Sequence, residues 1–158
     1  MRYFKSLFFA FIAIFAFAGC QLGSIYEQKV SFPAKGWSAD SAYIFHFPIE
    51  DASASYDIVY HIRHDLDYPY YNLFIQAELS DSAGNGLVVD KYEMILLDAE
   101  TGKPLGSGLG GVYSKDFIAL ARVHFPKSGM YKAKVSQVMR EPWLAGIKDF
   151  ALQVKKSE

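Results

Sequence analysis

The segment 56–79, which reads YDIVYHIRHDLDYPYYNLFIQAEL, decides the fold class of this chain. Apolar and polar residues alternate in its first part, 56–63, and again in its last part, 72–79. Successive side chains of a β-strand point to opposite faces, so each part is predicted to be a strand with one buried face. Pro69 in the connection cannot donate a ladder hydrogen bond, and the whole segment is interpreted as a central hairpin with a long, structured turn. The predicted inward residues are Tyr56, Ile58, Tyr60, Ile62, Leu73, Ile75, Ala77 and Leu79.

Short alternating segments continue on both sides of this hairpin. In one of them, 117–125, the residues predicted to share a face are Phe117, Ala119, Ala121, Val123 and Phe125. Gly and Asn at 81–86, and Pro and Gly at 126–129, are residues that favour tight turns between strands. No segment beyond the first 19 residues keeps a 3.6-residue apolar period over three turns, which argues against a helical domain. Seven or eight short strands predict an all-β fold, a single antiparallel β-sandwich of jelly-roll or immunoglobulin-like type over 41–158.

The N-terminal residues have the pattern of a bacterial export signal. Arg2 and Lys5 precede a twelve-residue apolar run at 7–18. A helix of that length rises about 18 Å, well short of the roughly 30 Å hydrocarbon core of a bilayer, so 1–19 is predicted to be a signal peptide and not a membrane span. Small residues precede Cys20, and this arrangement resembles the lipobox of bacterial lipoproteins, in which the thiol receives a diacylglyceryl group.

Residues 20–40 are interpreted as a lipidated tether that ends by docking on the sandwich. Its free part is predicted to be about ten residues long and to span on the order of 20 Å, which keeps the domain close to the membrane. Acyl chains on Cys20 would attach the chain stably to a membrane. Cys20 is also the only cysteine, which excludes an internal disulfide, a cysteine zinc site and a Cys-His nucleophile farther along the chain.

The charge balance argues against nucleic acid as a partner. Two of the 16 basic residues, Arg2 and Lys5, lie in the signal, which leaves 14 basic against 17 acidic side chains in 20–158. A chain with this negative balance has no basic stripe to follow a phosphate backbone. No nucleic-acid function is therefore expected.

Two motifs resemble known sites but are better explained as turns. The segment 106–111 matches G-x-G-x-x-G, yet a helix is not predicted after it, so a tight backbone passage is favoured over a nucleotide site. His61 and His64 point to opposite faces of a strand, which favours turn-stabilising roles for Asp65 and Asp67 over a metal site. There is no G-x-S-x-G elbow, and no catalytic residue, cofactor or metal is predicted.

Aromatic residues in predicted loops form the best candidate for a binding surface. Trp37, Trp143 and the tyrosines at 68–71 lie in such loops. Loop rings stack on sugars or anchor a protein partner, or they fold back and close the ends of a sandwich. Folding back is favoured for the tryptophans, and both interpretations stay open for the tyrosines. The candidate partner-binding residues are Asp65, Asp67, Tyr68, Tyr70, Tyr71 and Asn72.

One further set of residues follows a characteristic order along the chain: Tyr26, 32–33, 36–37, 62–63, 67–74, Asp98, Gly102, 106–113, 125–126, Gly129, Tyr131, 137–140 and 144–147. Taken in this order, these residues resemble the gliding-motility lipoprotein H (GldH) family of bacterial envelope proteins. The resemblance implies a lipid-anchored protein that takes part in cell movement over surfaces, in a group of factors linked to the secretion system that exports motility adhesins. It implies no catalytic activity and no cofactor.

Two functions from different classes are expected from these observations. The first is a non-catalytic interaction module that binds other envelope proteins through the 65–72 turn, together with the 106–113 loop. The alternative is a carbohydrate-binding sandwich that holds envelope or surface glycan; a hydrolase would need carboxylates gathered in a cleft. Residues 21–24 lack the acidic run that resembles a surface-export signal, so the expected location is the outer membrane, facing the periplasm.

Overall fold

The computed structural model describes residues 23–158, which form a chain of β-strands joined by turns and loops. The predicted signal peptide and Cys20 lie outside these described residues. None of residues 23–158 belongs to a helix long and apolar enough to cross a bilayer. The strands are β1 (Ser24–Ser31), β2 (Trp37–Ser38), β3 (Ala42–Ile49), β4 (Ser55–Asp65), β5 (Asn72–Asp81), β6 (Gly86–Ile95), β7 (Ser107–Leu109), β8 (Val112–His124), β9 (Gly129–Gln137), β10 (Trp143–Leu144) and β11 (Ile147–Lys156).

Two sheets pack against each other to form the predicted antiparallel sandwich. The five-stranded sheet has the order β1-β11-β4-β8-β7, and the four-stranded sheet has the order β3-β9-β5-β6. All pairings in both sheets are antiparallel. The short strands β2 and β10 pair separately at one end. The all-β prediction is therefore confirmed.

Alternation along β4 and β5 identified the buried face correctly. All eight predicted inward residues on these strands are buried, and on the facing strands aromatic rings fill the space between the sheets. Phe47 lies 6.2 Å from Tyr131 and 6.1 Å from Phe125, measured between ring centroids. Burying each such side chain stabilises the fold by about 1.5–3 kcal/mol, so the rings contribute substantially to the stability of the sandwich beside the buried aliphatic residues.

The predicted central hairpin is wrong, because β4 and β5 lie in different sheets. β4 pairs with β11 and β8, whereas β5 pairs with β9 and β6. Two strands that each have one apolar face can bury those faces either as neighbours in one sheet or as strands of two facing sheets. Alternation in the sequence does not distinguish these two arrangements. The connection 66–71 therefore crosses from one sheet to the other.

Most of the segment that was predicted to be a free tether is a β-strand. Residues 24–31 form β1, which pairs with β11 from Ser24 to Ser31 at the edge of the five-stranded sheet. β1 is an edge strand, and its side chains are exposed or half-buried. Such a strand needs few apolar residues, so its sequence lacks the alternating pattern by which strands are recognised. Only three residues separate Cys20 from Ser24, instead of the expected ten or so.

β8 departs from the regular alternation that was predicted for 117–125. Its register against β4 slips twice, between Tyr56 and Val59, and Arg122 has a φ of 54°. An extra residue in a bulge reverses which side chains face inward. As a result Leu120 packs against the core while Ala121 is exposed, the opposite of the prediction for Ala121.

Candidate functional site

The 65–72 turn, which joins the two sheets, is held at its first residue. The Asp65 N–H donates to the Gly146 carbonyl at 2.9 Å, and Asp65 Oδ1 accepts from the Asp67 N–H at 3.0 Å. The other carboxylate oxygen pairs with Lys148 Nζ. Partial burial raises the pKa of Asp65, but the hydrogen bonds from Lys148 and Asp67 outweigh it and hold the pKa below its usual range. Asp65 thus stabilises the turn as an ionised carboxylate.

Two of the candidate residues are buried and build the turn from inside. Tyr68 is only 2% exposed, and its hydroxyl donates to the Asn72 carbonyl at 2.6 Å. Asn72 is also buried, and its Nδ2 donates to Glu93 Oε1 at 2.6 Å. Burial raises the pKa of Tyr68, which stays a neutral hydroxyl donor. Neither side chain is available for direct contact with a partner.

Of the other two tyrosines of the turn, Tyr71 is exposed and Tyr70 packs partly against the core beside Tyr68. Tyr71 is 46% exposed, while its carbonyl accepts from the N–H groups of Leu96 and Leu97 at 2.8 and 2.9 Å. Tyr70 is half-buried, and its hydroxyl donates to Glu141 Oε1 at 3.1 Å. The backbone of the turn is thus fixed while the Tyr71 ring stays open to solvent, and Asp67 is exposed beside it.

A shallow groove that the sequence did not predict begins at Tyr70. Its volume is about 320 Å³, and its lining consists of Tyr70, Phe74, Val138, Met139, Arg140 and Glu141. The Val138 N–H donates to the Phe74 carbonyl at 3.0 Å, which joins β5 to the loop after β9. Phe74 lies on the otherwise polar outer face of β5. An aromatic residue on such a face is the sequence feature that could have indicated a binding groove here.

The glycine-rich segment forms the β7–β8 hairpin. Gly110 and Gly111 lie at its tip with φ values of 63° and 82°, a conformation that glycine adopts without strain. Tyr113 on β8 stacks on His64 with ring centroids 5.9 Å apart, and His64 lies 6.2 Å from Tyr68. The hairpin is therefore a direct neighbour of the turn; it lies at the edge of the five-stranded sheet and is not the predicted backbone passage between the sheets.

The two histidines of β4 face opposite sides of the sheet, as the strand pattern predicted. His61 Nδ1 pairs with Asp116 Oδ1 at 2.7 Å on the outer face. His64 is fully buried, and its Nδ1 lies 3.2 Å from the Asp65 carbonyl. Within residues 23–158, no three His, Cys, Asp or Glu side chains come together in a way that could hold a metal ion.

The tryptophans differ from one another. Trp37 is fully buried and closes the end of the sandwich, as was favoured for both. Trp143 is 42% exposed, with Lys35 Nζ 5.4 Å from its ring centroid. Trp143 pairs with Ser38 in the short β2–β10 sheet, which leaves its ring on the outside.

Protonation of His64 is expected to loosen the turn. Burial lowers the pKa of His64, and its Nε2 is buried with no hydrogen-bond partner within 23–158. The unfolded chain binds this proton more readily than the folded chain. The free energy of unfolding therefore has its full value above about pH 6.5 and decreases as the pH is lowered further, by at most about 1.4 kcal/mol per pH unit. Urea unfolding between pH 7 and pH 5 measures this slope.

The control for this prediction is His64→Gln, which cannot titrate. It should have a flatter pH profile than the original chain between pH 7 and pH 5. The aspartates with lowered pKa values, such as Asp57 and Asp81, lose their contribution only at more acidic pH. Identical slopes for both chains would show that His64 does not carry the effect.

Comparison with known proteins identifies the family. A family model described as GldH lipoprotein matches residues 24–154. The gliding motility lipoprotein GldH homolog of Christiangramia forsetii is 30% identical over 164 residues, which cover 98% of this chain and 99% of that protein. The gliding motility lipoprotein GldH of Flavobacterium johnsoniae is 24% identical over 146 residues, covering 88% of this chain and 89% of that one.

Similarity to solved structures is low. A carbohydrate-binding module specific for non-crystalline cellulose is similar with a TM-score of 0.41 and 11% identity, over 83% of this chain and 74% of that chain. A likeness at this level carries no argument about function. The family match, in contrast, extends from the first residue of β1 almost to the end of β11, and it confirms the resemblance found in the sequence. The chain belongs to the GldH lipoprotein family.

Proposed function

We propose that this chain is a lipid-anchored envelope protein, acylated at Cys20, that serves gliding motility as a non-catalytic interaction module. Its partners are other envelope proteins of the gliding and associated secretion machinery, and it lies in the outer membrane, facing the periplasm. Support comes from the family and from the names of the relatives, which are gliding motility lipoproteins.

One observation carries the choice of contact surface. Tyr71 exposes its ring on a turn whose backbone is fixed by the buried Tyr68 and by the Asp65–Lys148 pair. A ring on a rigid frame loses little conformational freedom when it binds, which is why tyrosine is common at binding hot spots. The apolar groove that begins at Tyr70 lies beside it and offers a place for an apolar side chain of the partner. The proposed surface consists of Asp67, Tyr70, Tyr71 and this groove.

Replacing Tyr70 and Tyr71 together with alanine is expected to weaken partner capture by about 30-fold or more, the loss that follows when a hot spot of about 2 kcal/mol is removed. Tyr71 is exposed, whereas Tyr70 packs partly against the core with its ring centroid 5.8 Å from that of Tyr68, so the double variant should stay folded with a modestly lower unfolding midpoint. Crosslinking in intact cells, followed by purification through a C-terminal tag, measures the captured partners.

Two control variants make this test specific. Tyr71→Phe keeps the ring and should retain most of the capture, whereas Ile118→Ala removes an even more exposed apolar side chain from the outer face of the five-stranded sheet and should retain all of it. A folded double variant that captures the same proteins as the original chain would remove this surface from consideration.

The glycan-binding alternative needs several exposed rings in one plane. Of the five loop rings considered for it, Trp37 and Tyr68 are buried, and Tyr70 is half-buried with its hydroxyl bonded to Glu141. Tyr71 and Trp143 remain exposed. A shift in intrinsic fluorescence on adding envelope glycan, lost in Trp143→Ala, would favour this function over protein binding.

A further inference from the structure

Gly23, the first described residue, lies at the opposite end of the sandwich from the proposed contact surface, and its end is hereafter called the anchor end because the chain leads from it to Cys20. Gly23 accepts a hydrogen bond from the Lys156 N–H at 3.0 Å, next to the start of β4, where Tyr56 pairs with Lys156. The 65–72 turn follows the other end of β4. This strand has 11 residues, and at about 3.3 Å per residue it separates the two ends by roughly 33 Å.

A second groove, hereafter the Gly23 groove, lies at the anchor end. Its volume is about 520 Å³, larger than that of the groove at Tyr70. It places three cationic side chains opposite two carboxylates, in a chain whose residues 20–158 have an excess of acidic groups. The charged groups of its lining are Asp57, Arg122, Lys155, Lys156 and Glu158.

Two of these cations are left without a carboxylate partner within the described part of the chain. Asp57 Oδ1 accepts from the Arg122 N–H at 2.9 Å and from Ser157 Oγ at 2.6 Å, and the nearby positive charges of Lys155 and Arg122 also help to lower the pKa of Asp57 without reaching ion-pair distance. Lys156 Nζ pairs with Asp51 at 3.3 Å. The guanidinium of Arg122 and the ammonium of Lys155 form no ion pair within residues 23–158.

The backbone holds Arg122 out of the strand ladder. Its φ of 54° lies in the left-handed region, which costs a residue with a side chain some stability. The hydrogen bond to Asp57 maintains this bulge. Bulges re-aim side chains, and here the result is an exposed arginine at the mouth of the Gly23 groove.

Chain length limits what can lie against the Gly23 groove. Cys20 is three residues from Gly23, so their Cα atoms lie at most about 11 Å apart even in a fully extended chain. The headgroup layer on one side of a bilayer is about 5–8 Å thick. If Cys20 carries diacylglycerol, Gly23 is within reach of that layer and no long linker separates the groove from it. Anionic lipid phosphates match the unpaired arginine and lysine.

We propose that the Gly23 groove docks on the headgroup layer of an anionic phospholipid bilayer, with Arg122 and Lys155 contacting lipid phosphates. This docking holds the surface around Tyr71 on the side of the domain facing away from the membrane. The inference rests on the proposed acylation of Cys20, and it adds the lipid class, the contacting residues and the orientation of the domain.

The test uses the acylated protein in vesicles, with one spin label at either end. Since Cys20 is the only cysteine and is blocked by acylation, labels attach only to Ser82→Cys, in the β5–β6 turn at the anchor end, or to Ala99→Cys, in the loop near Tyr71. Lipids with nickel-chelating headgroups speed the relaxation of nearby labels. The label at 82 is expected to relax several-fold faster than the label at 99; equal or reversed rates would overturn the orientation.

A neutral groove variant tests the lipid contacts. Arg122→Asn with Lys155→Gln removes both charges, and asparagine tolerates a positive φ. In vesicles of phosphatidylcholine with phosphatidylglycerol, the nickel effect on the label at 82 should fall by about fivefold or more, since each cation near an anionic surface contributes about that factor. The control pair Lys91→Gln with Lys103→Gln removes two exposed lysines away from the anchor end and should behave like the original chain. If the groove variant too shows an unchanged nickel effect on the label at 82, the proposed contacts of Arg122 and Lys155 with lipid phosphates are wrong.

Failure of this inference can be told apart from failure of the proposed function. Mass measurement of the purified protein shows whether Cys20 is acylated before any vesicle is made. An acylated protein whose two labels respond equally refutes the docking alone. Partner capture by the Tyr70 and Tyr71 variant tests the proposed function separately, because this measurement does not involve the Gly23 groove.

Discussion

Replacing Gly146 with alanine is expected to be among the most destabilising single changes in the chain. Gly146 has a φ of 81°, and a Cβ at this position would lie 2.2 Å from the Tyr68 nitrogen and 2.6 Å from its Cα. The left-handed conformation costs about 1–2 kcal/mol with a Cβ, and forcing apart a packed contact costs about 1–3 kcal/mol more. Backbone atoms cannot swing aside, so the 65–72 turn itself must move.

Urea unfolding of Gly146→Ala, together with partner capture, measures both consequences. Gly84→Ala is a matched control, because Gly84 has a similar φ of 89° but has no atom within 4 Å of the added Cβ. The control should lose only the conformational part of the free energy of unfolding and should keep its partners. If both variants lose the same stability, Gly146 does not support the turn through its close approach to Tyr68.

Replacing Trp37 with alanine is expected to lower the free energy of unfolding by about 3–5 kcal/mol, the usual loss for a large buried ring. Trp37 is fully buried. Its ring stacks on Phe32 with centroids 4.8 Å apart and contacts Phe150 at 5.5 Å. The cavity would open the end of the sandwich where β2 and β10 pair, so Trp143 fluorescence should change as well.

Trp37→Phe separates ring packing from the polar atom of the indole. Trp37 Nε1 is buried without a hydrogen-bond partner among residues 23–158, and leaving such a donor unpaired costs about 1–3 kcal/mol. Phenylalanine removes this donor and keeps most of the contact with Phe32, so it should cost clearly less than alanine. A loss below about 1 kcal/mol for Trp37→Ala would contradict the role of Trp37 as a core residue.

The local part of the fold could be predicted from the sequence, because the face of a strand is encoded in consecutive residues. Ile58 and Leu73, for example, were placed in the core by alternation alone. Strand pairing could not be predicted in this way. β4 and β5 are adjacent in sequence, yet β4 pairs with the distant strands β8 and β11, and β5 pairs with the distant β9 as well as with its neighbour β6. β1 reveals itself only through its partner β11.

The candidate site was predicted in position but not in detail. Asp65 stabilises the turn by accepting the Asp67 N–H, as its residue type indicated, whereas the exposed Asp67 carboxylate has no hydrogen bond within residues 23–158. Tyr68 and Tyr71 have the same side chain three residues apart, yet one is buried and the other exposed. The difference arises from Asn72 and Gly146, which surround Tyr68 and come together only in the folded chain.

The position of β1 also determines how the domain would respond to a mechanical pull. β1 runs antiparallel to β11 through seven paired positions, and the chain leaves it at Gly23. Force transmitted between Gly23 and the far end of the sandwich acts along the strand axis, so it shears all these hydrogen bonds together instead of peeling them apart one by one. A moving cell that drags on this protein would therefore meet a joint that resists tension much better than a hairpin pulled open from its end.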